Sequence, residues 1–166
     1  MPGTKDILID WLRDAHAMER ASIDNLERQV SRLDEYPELK AKLEEQLTLS
    51  RDQEDRLDDA LDAMGADKSL IKDAVTRFAG RAQAMMAGAA DDEVVKQATT
   101  TLAYEEWEIA NFRALATACQ VGGEAEMATM FEEMAEEKEE IADWLADAIP
   151  DITRRYLMRQ SGGAAA

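Results

Sequence analysis

Residues Leu102–Leu115, LAYEEWEIANFRAL, decide how this chain is read. Taken as a helix, the segment carries a core-facing row Ala98, Leu102, Glu105, Ile109, Phe112, Ala116, spaced by three and four residues. Glu105 falls inside that apolar stripe, and Glu108 lies one turn on at its edge. A carboxylate on a buried face is costly unless it is paired, protonated or metal-bound. The fold and the function both turn on whether other helices bring carboxylates to the same level.

Three further long helices are expected. The first follows Thr4, a suitable N-cap with Asp6 in the first turn, and runs to about Leu33. Its inner row is Leu8, Leu12, Ala15, Glu19, Ser22, Leu26, Val30, Leu33, with Trp11, Met18 and Ile23 widening the stripe. After the turn DEYP, Pro37 opens the second helix and Gly65 stops it beyond Met64. Its inner row reads Leu39, Leu43, Leu47, Ser50, Gln53 or Glu54, Leu57, Leu61, polar in the middle and leucine on both flanks. Residues 66–91 form a crossover with a shorter amphipathic helix, Ser69 to Met86, broken at Gly88. Asp91 or Asp92 can cap the third long helix, which ends at Gly122-Gly123. The fourth spans Glu124–Ile149, with Met127, Met134, Glu137, Ile141 and Ala148 turned inward, and Pro150 is expected to close it. A last short turn, Ile152–Met158, can dock Tyr156 and Leu157.

Two helical hairpins joined by a long crossover make an all-α four-helix bundle. At 166 residues this is one domain, residues 1–159, followed by an SGGAAA-type tail, 160–166, with nothing to bury and expected to be disordered. Alternating β patterns are absent from the sequence. The net charge of −17 argues against nucleic acid and anionic membrane as partners. There is no apolar run of transmembrane length. A lone Cys119 and the lack of a targeting signal point to a reducing, cytoplasmic setting. Phosphate-cradling glycine loops, Ser-His-Asp sets and cysteine metal motifs are likewise missing.

The mid-helix polar residues are the candidate site. Glu19 comes from the first helix, Glu105 and Glu108 from the third, Glu137 and Glu140 from the fourth. All lie near helix centres and so share one layer. Buried carboxylates from several bundle helices describe a cage for iron or manganese. A plainer reading stands beside each. The fourth helix contains EEMAEEKEEIAD, in which every helical phase finds a glutamate, so Glu137 and Glu140 also suit a solvated face. Glu108 can pair with Arg113. His16, the sole histidine, lies one position off the core row and suits a flank. Glu19 and Glu105 carry more weight because each interrupts an apolar row.

The runs LIDWLRDAHAMERA, YPELKAKLEEQL, AYEEWEIANFRAL and EEMAEEKEEIADWL resemble the YciE/YciF-type ferritin-like family of bacterial stress proteins. The resemblance extends from about Asp6 to Arg159. It implies a ferritin-like bundle, usually dimeric, with a di-iron-type carboxylate site and a stress-associated role. Carried across by position, Glu19, Glu105, Glu108 and Glu137 stand where the family keeps its carboxylates. The second helix departs from the pattern. Leu49-Ser50 replaces a Glu-Thr pair, Gln46 replaces a His, and only Gln53 remains. Ile141 replaces an acidic or polar residue of the fourth helix.

Two functions of different classes follow. One is a ferritin-like metalloprotein holding iron or manganese, oxidase-like or peroxide-consuming. The other is a structural or interaction protein on a scaffold that has lost its metal, which the missing second-helix carboxylate favours. Iron storage in a ferritin-type cage is a third and weaker reading. A homodimer is expected, both from the resemblance and because the crossover helix with Met85-Met86 offers apolar surface.

Overall fold

The computed structural model describes residues 3–86 and 94–163, apart from the side chains of Lys68 and residues 81–86. Five α-helices run in the order α1 (Thr4–Val30), α2 (Pro37–Ala63), α3 (Ile71–Met86), α4 (Val94–Gly122) and α5 (Ala125–Gly163), with a 3-10 turn at Lys68–Leu70 before α3. The architecture is the expected all-α bundle of four long helices, with the short α3 in the crossover. The break expected at Gly88 and the caps expected at Asp91 or Asp92 fall outside the described residues, as does the end of the tail, 164–166.

Local chemistry sets the helix ends. Gly3, not Thr4, precedes the first turn of α1, and its backbone N–H donates to Asp6 Oδ2 at 3.0 Å. At the end of α2, Gly65 takes φ +68°, and the Ala66 N–H reaches back to the Leu61 carbonyl at 3.0 Å. The tight link between α4 and α5 repeats this closure. Gly123 has φ +82°, and the Glu124 N–H donates to the Cys119 carbonyl at 2.9 Å. In both places the left-handed backbone costs glycine nothing and satisfies a carbonyl that the helix leaves open.

Pro150 does not close the last helix. α5 continues through it to Gly163, so the tail expected from residue 160 is helical over its first four residues. The proline removes one i→i−4 bond. Burial of Ile152 on the far side, and packing of Ile149 and Tyr156 against the core, hold the two halves together.

α1 packs on α2, and α4 packs on α5 along most of their lengths. α1 also faces α4 and carries α3 on its flank, whereas the α2 and α5 backbones seldom approach closely and are bridged by side chains. Two apolar clusters fill the interior. The larger holds Leu8, Leu12, Met18, Leu57, Leu61, Phe112, Phe131 and Met134, with Phe112 and Phe131 stacked at 6.0 Å. The smaller, at the other end, holds Leu26, Leu33, Tyr36, Leu43, Ile141, Leu145 and Ile152. Trp11, expected on the core stripe, is 44% exposed on the α1 surface. Between the two clusters the core is polar, and that layer is the site.

Candidate functional site

Seven polar side chains are fully buried at the centre of the bundle. They are Glu19 on α1, Gln46, Ser50 and Gln53 on α2, Glu105 and Glu108 on α4, and Lys138 on α5. The helical period explains the membership. On α2, steps of four and three place Gln46, Ser50 and Gln53 on one face, continuing the row of Leu39 and Leu43. On α5, the same steps make the inward row Met134, Lys138, Ile141 and Leu145, all buried.

Lys138 sits in the middle of the layer. Its Nζ lies 2.8 Å from Glu108 Oε2, 3.2 Å from Glu19 Oε1 and 3.8 Å from Glu105 Oε2. It also donates to Ser50 Oγ at 3.0 Å. One ammonium thus touches groups from the three other long helices. Gln46 Nε2 donates to the other oxygen of Glu105. Tyr104 closes the layer on the α1 side, its hydroxyl donating to the Met18 carbonyl at 2.9 Å.

Burial dominates the electrostatics. It lifts the Glu19 carboxyl from 4.5 to about 8, with Glu108 adding repulsion and Lys138 opposing. Burial likewise lifts Glu105 to about 7 and Glu108 to about 8. Burial alone would lower the Lys138 ammonium, but Glu105, Glu108 and Glu19 together outweigh it and hold the ammonium charged. Three carboxylates beside one cation carry excess negative charge, and protons held by the glutamates relieve it near neutral pH.

The structure therefore brings together three of the four expected residues, Glu19, Glu105 and Glu108. Glu137 is not among them. Its side chain is 33% exposed and is gripped by Arg56 at 3.0 and 3.1 Å and by Gln53 Nε2 at 2.8 Å. The reason is phase: one residue along a helix is a rotation of about 100°, and the inward position belongs to Lys138. Glu140 is exposed and lines a groove between α2 and α5, together with Leu49 and Ile141. Of the adjacent pair on α2, Ser50 rather than Leu49 faces the cluster. His16 is 8% exposed rather than a free flank, with Nε2 3.3 Å from Asp58 Oδ1.

Lys138 and Tyr104 are members of the layer that the sequence pattern did not single out, and Gln46 entered only as a departure from the family pattern. The signal for Lys138 was present in the steps Met134, Ile141, Leu145, which leave position 138 inside the row. Lysine is rarely buried without a partner, so the type of residue works against the spacing at this position. Among the described residues, no group of three or more His, Cys, Asp or Glu side chains is disposed to hold a metal ion. Nor is any helix among them long and apolar enough to cross a membrane.

The comparisons with known proteins agree with this architecture. A family model described as "Domain of unknown function (DUF892)" matches residues 3–158. A solved protein structure from Xanthomonas campestris is similar along the whole fold, with a TM-score of 0.80 and 27% identity. The match covers 96% of this chain and 99% of that one.

Proposed function

For this chain, which belongs to the DUF892 family, we propose a metal-independent role, that of a structural or interaction protein on a ferritin-like scaffold. One observation carries the reading: the Lys138 ammonium stands where Glu19, Glu105 and Glu108 converge. A carboxylate-bridged metal pair needs that point for itself, with ionised donors around it. Here the point holds a fixed cation, α2 contributes only the neutral Gln46, Ser50 and Gln53, and Glu137 belongs to Arg56. These donors do not fit a resident pair of iron or manganese ions.

The rival reading keeps iron or manganese on Glu19, Glu105, Glu108 and Glu137. What favours it is that three buried carboxylates do converge. It requires Lys138 to leave the centre and Glu137 to leave Arg56. Elemental analysis of protein purified from cells supplied with iron and manganese separates the two. Metal well below one ion per chain is expected. One or more ions per chain, lost in a Glu105→Ala variant, would overturn the proposal.

The setting proposed is a cytoplasmic, stress-associated homodimer, resting on the resemblance of the four quoted runs. Trp11 and Ile7, 44% and 39% exposed on α1, supply apolar surface for a second copy. The Met85-Met86 surface lies outside the described side chains. Light scattering at micromolar concentration checks the dimer, and a monomer mass would remove it.

A further inference from the structure

α2 and α5 leave between them a groove of about 580 Å³. Leu49, half-buried, and Ile141, buried, give it an apolar floor, and its rims carry Glu45, Asp52, Glu137 and Glu140. No basic residue is among those that line it. Lys42 pairs with Glu45, and Arg56 holds both Asp52 and Glu137. Glu140 is exposed and has no cationic partner among the described residues.

The last turns of α5 have the opposite character. From Ile152 to Gly163 the helix carries Arg154, Arg155 and Arg159 and no acidic residue. Ile152 is buried against the bundle, whereas Leu157 and Met158 are 57% and 66% exposed. Steps of three and four place Arg154, Leu157 and Met158 along one outward stripe. Arg159 pairs with Glu35, and Arg155 lies over the Tyr36 ring at 5.4 Å, so these two hold the helix end against the α1–α2 turn. Arg154 pairs within its own helix, with Asp151 at 2.7 Å, and both side chains are well exposed. An exposed pair of this kind is weak and exchanges readily.

An isolated apolar residue on a surface is ordinary, but two adjacent ones beside a cation match what the groove presents. α5 cannot bring this stripe to its own groove, because Met158 lies about 27 Å beyond Glu140 on one continuous helix. We propose that the last turns of α5 in one copy of the chain seat in the α2–α5 groove of a second copy. Leu157 and Met158 then cover Leu49 and Ile141, and Arg154 meets Glu140. The contact joins unlike surfaces, so every copy has one end to offer and one groove to fill. It uses neither the Trp11–Ile7 face nor the Lys138 layer. The charge of −17 on each copy repels at long range, but at about 0.15 M salt that repulsion is screened beyond about 8 Å.

Two measurements on the full chain test this contact. In sedimentation equilibrium at about 0.15 M salt, the mass should rise with protein concentration. Glu140→Arg and Leu157→Asp should each weaken that association by about tenfold or more, with the helical circular dichroism unchanged. Adding Arg154→Glu to Glu140→Arg should recover most of the loss, which a change of packing within one copy would not do. A Thr48→Cys chain mixed with a Met158→Cys chain should be joined by a short bismaleimide, since Thr48 lines the groove and the native Cys119 is buried. A Trp11→Cys chain in place of the second should not be joined. Monomers up to about 1 mM would overturn both this contact and the Trp11–Ile7 dimer. Association that neither single variant weakens, or that the double variant fails to recover, would overturn this contact alone. Linkage of Thr48 to Trp11 as readily as to Met158 would do the same.

Discussion

Lys138 Nζ and Glu108 Oε2 lie 2.8 Å apart, and neither side chain is reached by solvent. A buried ion pair seldom adds net stability over an apolar equivalent, because desolvation consumes the attraction. Removing one partner is a different matter, since it strands the other charge. The consequences are measurable.

Lys138→Met leaves three carboxyl groups in a buried layer with no cation. At pH 8 the loss should be on the order of 3 kcal/mol, the usual cost of orphaning a buried charge. At pH 5 the glutamates are protonated and the loss should shrink to less than about half of that. Urea unfolding of both proteins at the two pH values measures the difference. An equal loss at both pH values would mean that the lysine acts through packing alone.

The unaltered chain should itself be steadier in mild acid. Glu19, Glu105 and Glu108 have folded values of about 8, 7 and 8, raised from 4.5. The folded state therefore binds more protons than the unfolded chain above pH 4.5. Their contribution is complete below that value and is lost as pH rises through 7 to 8. Lys138, held above its ordinary value, works in the same direction at higher pH. For each extra proton bound, stability should fall by about 1.4 kcal/mol per pH unit across that window. Denaturation midpoints between pH 5 and pH 8.5 that rise with pH would contradict this.

Lys138→Glu should convert the layer into a cation site. Four carboxyl groups would then converge without an ammonium, a donor set suited to manganese or ferrous iron. Manganese should raise the melting temperature of this variant and leave the unaltered chain unmoved, because a ligand stabilises only a fold that binds it. No manganese-dependent shift in the variant would show that the glutamates cannot turn towards a shared ion.

Pro150→Ala should stabilise α5. The proline lies inside a continuous helix and deprives the carbonyl four residues earlier of a donor. Restoring the N–H is worth roughly 1–3 kcal/mol at an exposed position. A neutral or negative change would mean that the proline's fixed backbone geometry is needed to seat Ile152.

Much of the fold was legible because apolar spacing and the Gly65 and Gly122-Gly123 stops are local signals. Glu19 and Glu105 were legible for a related reason, as each breaks an apolar row. Glu137 was misplaced because α5 is so rich in glutamate that composition hides its phase. Burial of Lys138 depends on three carboxylates from α1 and α4, distant in sequence, and one helix by itself cannot reveal it. The continuation past Pro150 is of the same kind. Tertiary packing of Ile152 and Tyr156 overrides a local stop signal.

The central cation is covalently part of the chain. Its occupancy is one from the moment the backbone closes around it, whatever the supply of ions in the medium. Dilution does not release it. In a bundle whose α2 and α5 backbones seldom approach closely, a link of fixed stoichiometry joins both hairpins through α1, α2, α4 and α5. The polar layer thus brings its own counter-cation into the folding step.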